Sequence, residues 1–179
     1  MAEVYLITGG ARSGKSSHSE RLAAETGKPK VYIATAPVLD GEMEDRVKHH
    51  QMMRTGAGWR TVEEQVDIVQ AIRQIKNGET ILVDCLTLWI NNLMYQAEKN
   101  NEEIQESDMI SLCTELKQAC AEHSGVIIFV INEVGMGIVP DNPASRKFRD
   151  LSGRCSQTIA GFADHVILVA CGLPLQLKG

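Results

Sequence analysis

The sequence predicts an α/β fold in which helices cover both faces of a mainly parallel β-sheet. Short, continuous apolar runs such as residues 126–131 recur along the chain, and segments with helical spacing separate them. Strands that are apolar throughout are typical of parallel sheets, because both of their faces are buried. Ligands in such sheets bind beyond the carboxyl ends of the strands, so the loops that follow strands are the expected functional region.

Most of the predicted strands are short runs rich in β-branched residues, bounded by turn-forming or polar residues. The run at residues 31–35, for example, ends before Pro37, and the run at residues 80–85 contains Asp84 near its end. The predicted strands comprise residues 4–8, 31–35, 59–62, 80–85, 126–131 and 165–170, with a last edge strand at residues 175–178.

The predicted helices are recognised by apolar spacing and by their terminal residues. Ile68, Ile72 and Ile75 have helical spacing, and Gly78 follows as a stop signal. Asn142 before Pro143 is typical of an N-cap and a first helical position. The polar stretch at residues 98–107 has no periodicity and is predicted to be a mobile surface loop. The predicted helices comprise residues 17–26, 42–55 with Asp40 as N-cap, 66–76, a segment from about residue 87, 108–123 with Ser107 as N-cap, and 143 to about 162.

Length and composition limit the class of protein. We expect one domain over residues 1–179, because a chain of this length can bury a full core. No apolar run reaches the roughly 18 residues of a membrane span, and the N-terminus lacks a signal-peptide pattern. A net charge of −5 and an aromatic content of 4% argue against a nucleic-acid-binding surface. The five cysteines form no C-x-x-C pair, so each is expected to be a buried, reduced, cytosolic thiol.

The most informative motif lies directly after the first predicted strand and fits the phosphate-binding pattern G-x-x-x-x-G-K-[ST]. Glycines in such a loop let successive backbone N–H groups point at phosphate oxygens, and a helix N-terminus adds partial positive charge. The lysine neutralises the β- and γ-phosphates, and the hydroxyl that follows it binds Mg²⁺. The predicted phosphate-binding residues are Gly9, Gly10, Ala11, Arg12, Ser13, Gly14, Lys15 and Ser16.

Asp84 ends an apolar strand, which is the arrangement of a Walker-B carboxylate that holds Mg²⁺ directly or through water. Together with Ser16 it is a predicted metal ligand. A carboxylate at a strand end can also serve only to cap the next turn. The phosphate-binding loop earlier in the chain favours the metal-binding interpretation.

Two adjacent histidines, His49 and His50, lie in the helix predicted over residues 42–55. Neutral imidazole is reactive near pH 7, so the pair could supply a nucleophile or an acid–base group. Arg54 follows His50 by one helical turn and could hold a phosphate that the imidazole attacks. The spacing equally allows two solvent-facing histidines near a helix C-terminus.

Further charged residues follow predicted strands or occupy one helix. Glu63 and Glu64 could bind a sugar hydroxyl or form a solvated turn. The basic residues of the helix that begins at Pro143 could contact an anionic substrate or balance neighbouring carboxylates at the surface. These residues are Arg146, Lys147, Arg149 and Arg154.

Six motifs in this order resemble one known family over nearly the whole chain. They are the loop at residues 9–16, YIAT at 32–35, the His49-His50 pair, WRT at 59–61, NEVGMGIVP at 132–140 and FRDLSGR at 148–154. The set is similar to the bifunctional adenosylcobinamide kinase / adenosylcobinamide-phosphate guanylyltransferase family of cobalamin biosynthesis. The segment at residues 132–140 is far more specific than the phosphate-binding loop.

The resemblance implies a RecA-like P-loop NTPase fold and two reactions. A nucleoside triphosphate, ATP or GTP, phosphorylates the hydroxyl of the aminopropanol arm of adenosylcobinamide. A histidine then takes GMP from GTP as a covalent intermediate and passes it to the substrate phosphate, which gives adenosylcobinamide-GDP. The resemblance also implies Mg²⁺, a corrinoid substrate, a cytoplasmic location and a homo-oligomer such as a trimer.

By position, the family's nucleophile corresponds to His50, with His49 as the alternative. The resemblance further implies that the nucleotide is bound by the residues of the 9–16 loop and by Ala34, Thr35, Ala36, Gln51, Met52, Met53, Arg54, Glu63 and Asp84. Because the γ-phosphate and the α-phosphate must be presented to different groups in the two reactions, we expect the helix over residues 40–55 to move.

Two other functions explain part of the sequence. A small-molecule P-loop kinase without a covalent intermediate would use the 9–16 loop and Asp84, but would leave the histidine pair and the 132–140 segment without a role. A nucleotide-dependent switch or assembly ATPase is a second alternative. A GTP switch would be expected to carry the guanine-reading motif N-K-x-D, which this sequence lacks.

Overall fold

The computed structural model describes residues 1–36 and 58–179. Its described elements alternate between strands and helices along most of the chain. The strands are β1 Glu3–Gly9, β2 Lys30–Ala34, β3 Trp59–Glu63, β4 Thr80–Asp84, β5 Val126–Asn132, β6 His165–Ala170 and β7 Leu173–Lys178. The helices are α1 Lys15–Glu25, α2 Ile68–Gln74, α3 Leu86–Lys99, α4 Glu106–Glu122 and α5 Pro143–Phe162.

The seven described strands form one sheet in the order β3-β2-β4-β5-β1-β6-β7. Strands β1 to β6 are parallel, and only β7 pairs antiparallel, with β6. The register places Gly9 opposite Asn132 and Ala34 opposite both Glu63 and Asp84. These residues therefore lie at one edge of the sheet, which we call the carboxyl rim.

The strands bury side chains on both faces, as their continuous apolar sequences require. On one face, residues such as Leu6, Ile81 and Phe129 pack in a core with α2, α3, α4 and α5. On the other face, Ile7, Leu82 and Ile128 lie in a second core that includes Ala23 of α1. The predicted sheet with helices on both faces is confirmed.

The predicted strands are all present, with bounds that differ by one or two residues. Three details of the helices were wrong. Helix α1 begins at Lys15 rather than at residue 17, and Gly14 is its N-cap. Helix α3 continues to Lys99, into the stretch predicted to be a loop. Helix α4 is capped by Gln105 rather than Ser107, because the side chains of Gln105 and Asp108 form a reciprocal capping box. The prediction of Asn142 as N-cap is confirmed, since its side chain accepts a hydrogen bond from the backbone of Ser145.

All five cysteines are free thiols, and four of them are buried. The expectation of burial was wrong for Cys171, because it lies in the tight turn between β6 and β7, where it is exposed. None of the described helices combines the length and apolar character needed to cross a membrane. The helix predicted over residues 42–55 lies outside the described residues.

Candidate nucleotide-binding site

The phosphate-binding loop connects β1 to α1 at the carboxyl rim, and two of its glycines are required by close packing. Gly9 has φ +154°, and a Cβ there would lie 2.3 Å from the carbonyl oxygen of Val169. Gly14 has φ +96°, and a Cβ there would lie 3.1 Å from the Cα of Gly172. The backbone N–H of Gly172 donates to the carbonyl of Ser13 over 2.8 Å. The phosphate-binding loop therefore packs against the end of β6 and the β6–β7 turn.

Lys15, the motif lysine, is buried at the first position of α1. Its Nζ donates to the carbonyl of Gly10 over 2.9 Å, so the side chain folds over the loop. Burial lowers the pKa of the Lys15 ammonium, while the neighbouring Cys85 and Asp84 act in the opposite direction. Burial also raises the pKa of the Cys85 thiol to about 11, so this thiol is neutral near pH 7. The carboxylate of Asp84 is therefore the negative charge that favours the protonated lysine.

Asp84 is held at the end of β4 by a hydrogen bond from the neighbouring strand. The hydroxyl of Tyr32 donates to Asp84 Oδ2 over 3.0 Å. Strand β5 separates β4 from β1, so the carboxylate lies two strands away from the phosphate-binding loop. Mg²⁺ prefers oxygen ligands and is usually held by one or two protein groups together with substrate phosphates. The hydroxyl of Ser16 and the carboxylate of Asp84 fit that donor chemistry.

The segment Ala34, Thr35 and Ala36 lies at the end of β2, where the family resemblance expects nucleotide contacts. Thr35 is buried, and its hydroxyl donates to the carbonyl of Cys85 and accepts from the Cys85 N–H, both over 2.8 Å. The Thr35 side chain thus connects the ends of β2 and β4. The half-buried Ala34 and Ala36 lie on either side of it.

The structure gives different surroundings to Glu63 and Glu64, the two glutamates at the end of β3. Glu64 Oε1 accepts hydrogen bonds from the N–H groups of Val66 and Asp67, each over 2.8 Å, and so stabilises the turn before α2. Glu63 is the last residue of β3 and lies exposed at the carboxyl rim. Of the two, Glu63 is the one whose position suits contact with a ligand.

The 132–140 segment also begins at the rim. Asn132 is in register with Gly9, and its N–H donates to the hydroxyl of Thr87 over 2.7 Å. The N–H of Glu133 donates to the carbonyl of Gly9 over 2.9 Å. The segment therefore leaves the sheet in direct contact with the phosphate-binding loop. His49 and the predicted site residues His50, Gln51, Met52, Met53 and Arg54 lie outside the described residues.

Two polar residues that the sequence analysis did not identify hold the rim together. Asn92 of α3 is buried, and its Nδ2 donates to the carbonyls of Thr35 (2.8 Å) and Gln65 (2.9 Å). Thr87 holds Asn132, as described above. Asn92 could have been found as a polar residue three positions after Trp89, on the buried side of an amphipathic helix.

This rim and this sheet define a P-loop NTPase. Among solved structures, the chain resembles a prototypical ATPase from the type III secretion system of pathogenic bacteria, with a TM-score of 0.60 and 12% identity. The match covers 97% of this chain and 56% of that ATPase, so this chain corresponds to little more than half of its length. The RadB recombinase gives a TM-score of 0.50 and 12% identity, over 92% of this chain and 73% of that one. At these identities the likeness shows the fold, which is RecA-like.

The model of the family described as cobinamide kinase / cobinamide phosphate guanyltransferase matches residues 5–177. The bifunctional adenosylcobalamin biosynthesis protein CobP of Pseudomonas aeruginosa is 42% identical over 97% of this chain and 96% of its own length. The corresponding proteins named CobU, from Escherichia coli and Salmonella typhimurium, are 38% and 39% identical over 98% of this chain and 99% of theirs. The chain belongs to the cobinamide kinase / cobinamide phosphate guanyltransferase family of transferases.

The packing at Gly9 gives a prediction about the loop. Gly9→Ala forces a Cβ against a backbone carbonyl and imposes an unfavourable φ, so it should lower the free energy of unfolding by about 2–3 kcal/mol. Gly10→Ala is the matched control, because a Cβ at Gly10 meets nothing within 4 Å, and it should change stability by less than about 0.5 kcal/mol. Urea unfolding measures both. Equal stabilities of the two variants would contradict the close packing of the loop on β6.

Proposed function

We propose that this chain catalyses both reactions named in its family's description. In the first, a nucleoside triphosphate, ATP or GTP, phosphorylates the aminopropanol hydroxyl of adenosylcobinamide. In the second, GMP passes from GTP to the resulting phosphate and gives adenosylcobinamide-GDP. The observation that carries the proposal is the family match over residues 5–177 in a chain whose phosphate-binding loop is built at the carboxyl rim.

For nucleotide binding we assign the residues of the 9–16 loop, Ala34, Thr35, Ala36, Gln51, Met52, Met53, Arg54, Glu63 and Asp84. The position of the described members at one rim supports this assignment, since the strands carry them to the same edge of the sheet. The contacts of Thr35 support a role in shaping this edge rather than in direct side-chain recognition.

For the metal we assign Mg²⁺, with Ser16 and Asp84 as its protein ligands. When bound with the nucleotide, Mg²⁺ would offset negative charge on the phosphates. Lys15 of the phosphate-binding loop supplies a positive charge in addition to that of Mg²⁺, and the hydrogen bond from Tyr32 orients the Asp84 carboxylate.

For the guanylyl transfer we propose His50 as the nucleophile. Its imidazole nitrogen would attack the α-phosphorus of GTP, forming a P–N bond while the bond to the departing pyrophosphate breaks. A phosphate oxygen of the corrinoid substrate would then attack the same phosphorus and release the histidine. The covalent intermediate thus divides one difficult transfer of GMP into two easier substitutions at phosphorus. The support for this step is the family match over residues 5–177, which includes His50.

We further propose that the protein is cytoplasmic and forms a homo-oligomer such as a trimer, as the family resemblance implies.

Labelling with GTP tests the covalent step. Protein incubated with α-labelled GTP should acquire acid-labile, protein-bound label, because a phosphoramidate hydrolyses in acid. His50→Ala should remove the label, and the matched control His49→Ala should keep it. The reverse result would make His49 the nucleophile, and a wild-type protein without label would indicate a kinase that uses no covalent intermediate.

The pH dependence of labelling tests the nature of the nucleophile. Attack requires the lone pair of neutral imidazole, so the rate should fall as the pH drops below about 6.5, the unperturbed pKa of histidine. Single-turnover labelling between about pH 5 and pH 8 covers this range. A rate that does not change with pH would argue against an imidazole nucleophile.

Removal of the Asp84 charge tests the metal assignment. Asp84→Asn should raise the Mg²⁺ concentration needed for half-maximal activity by about tenfold, and high Mg²⁺ should restore part of the rate. Glu115→Gln, which removes a carboxylate exposed on α4, is the control and should leave the Mg²⁺ dependence unchanged. An unaltered Mg²⁺ dependence in Asp84→Asn would limit Asp84 to a structural role.

A further inference from the structure

An exposed apolar loop lies at the carboxyl rim, directly beside the phosphate-binding loop. It comprises residues 133–140 and follows β5, whose last residue is in register with Gly9. Met136, Ile138 and Val139 in this 133–140 loop expose 82%, 96% and 56% of their surface. Exposed apolar side chains that occur together mark contact surfaces more often than single ones do.

Hydrogen bonds fix the 133–140 loop at both ends. At the start, Glu133 Oε1 accepts from the N–H groups of Gly135 and Met136, and the Glu133 N–H is bound to the Gly9 carbonyl. At the end, Arg146 Nη1 donates to the carbonyls of Pro140 (2.9 Å) and Asp141 (2.6 Å). The apolar side chains are therefore presented by a preorganised backbone, which reduces the entropy that a ligand's binding would cost.

A polar cleft of about 340 Å³ adjoins this loop at Gly135. Its charged lining consists of Arg149, Asp150 and Arg154 of α5 and Glu106 of α4. Arg154 and Glu106 already form an ion pair, with Nη2 and Oε2 2.6 Å apart. Two cations and two anions balance one another, so the cleft offers hydrogen-bond donors and acceptors without the excess positive charge that would favour a second nucleotide.

We propose that the 133–140 loop and this cleft bind the corrinoid substrate. The inference rests on the proposed function and specifies where its acceptor is held. A corrin ring combines apolar surface with peripheral amide groups. The side chains of Met136, Ile138 and Val139 contact the ring, and the polar groups of the cleft bind amides. Because the N–H of Glu133, the first residue of the 133–140 loop, donates to the carbonyl of Gly9, a ring bound here keeps its aminopropanol arm close to the phosphate-binding loop.

Ile138→Ser tests the proposal, since Ile138 is almost fully exposed and its replacement should leave the fold intact. The KM for adenosylcobinamide should rise about tenfold, as expected for the loss of one buried aliphatic contact. The KM for the nucleotide should not change. Ile138→Leu should restore the corrinoid KM to within about twofold, because volume and apolarity are kept.

The matched control is Leu177→Ser, which removes an aliphatic side chain that is 57% exposed in β7, toward the end of the sheet opposite the rim. It should leave both KM values unchanged. An equal rise in both serine variants would overturn the proposal. An unchanged corrinoid KM in Ile138→Ser would also overturn it. If light scattering then shows an altered oligomer for this variant, the 133–140 loop is a subunit contact instead.

Labelling with GTP in the absence of corrinoid separates this inference from the proposed function. Ile138→Ser should take label as the wild type does. Normal labelling with an unchanged corrinoid KM overturns the inference alone. A wild-type protein that takes no label and does not turn over adenosylcobinamide overturns both.

Discussion

The site depends on how closely the phosphate-binding loop approaches β6 and the turn that follows it. The carbonyl of Val169 occupies the space where a Cβ of residue 9 would be, and the Cα of Gly172 lies next to the corresponding position at residue 14. The hydrogen bond from Gly172 to Ser13 joins the same two segments. This packing restrains the backbone of the loop, and a phosphate-binding loop needs a restrained backbone because its N–H groups must face the anion.

The parallel register of the strands brings the other predicted site residues to the same edge of the sheet as the phosphate-binding loop. Because β1, β2, β3, β4 and β5 end at one edge, residues far apart in sequence become neighbours there. Buried hydrogen bonds then hold the strand ends: Thr35 joins β2 to β4, and Asn92 joins α3 to the ends of β2 and β3. A buried polar group left without its partner is costly, so these residues specify the geometry of the rim.

Charge at the rim is divided between a few groups. Burial alone would favour loss of the proton from Lys15, and the nearby Asp84 carboxylate opposes that effect. The neutral Cys85 thiol adds no charge of its own near pH 7. The rim thus brings together the Lys15 ammonium, the oriented carboxylate of Asp84 and the partial positive charge of the α1 N-terminus, a combination suited to a nucleotide that binds together with a divalent cation.

The sequence by itself determined the α/β class, the strands, the phosphate-binding loop and the family, because each of these is written in local patterns: continuous apolar runs, caps, and glycines before a lysine. Where these local signals were weak, the predictions failed: Ser107 was a plausible cap, but Gln105 and Asp108 satisfy each other's backbone instead. Only the tertiary structure decided that Glu64 stabilises the turn before α2 while Glu63 lies exposed at the rim, since two adjacent glutamates have the same local signal. Only the tertiary structure showed that Asn92 and Gly172 support the site. The roles of Asn92 and Gly172 depend on contacts across many residues of sequence, and no local pattern encodes which distant backbone atom they will meet.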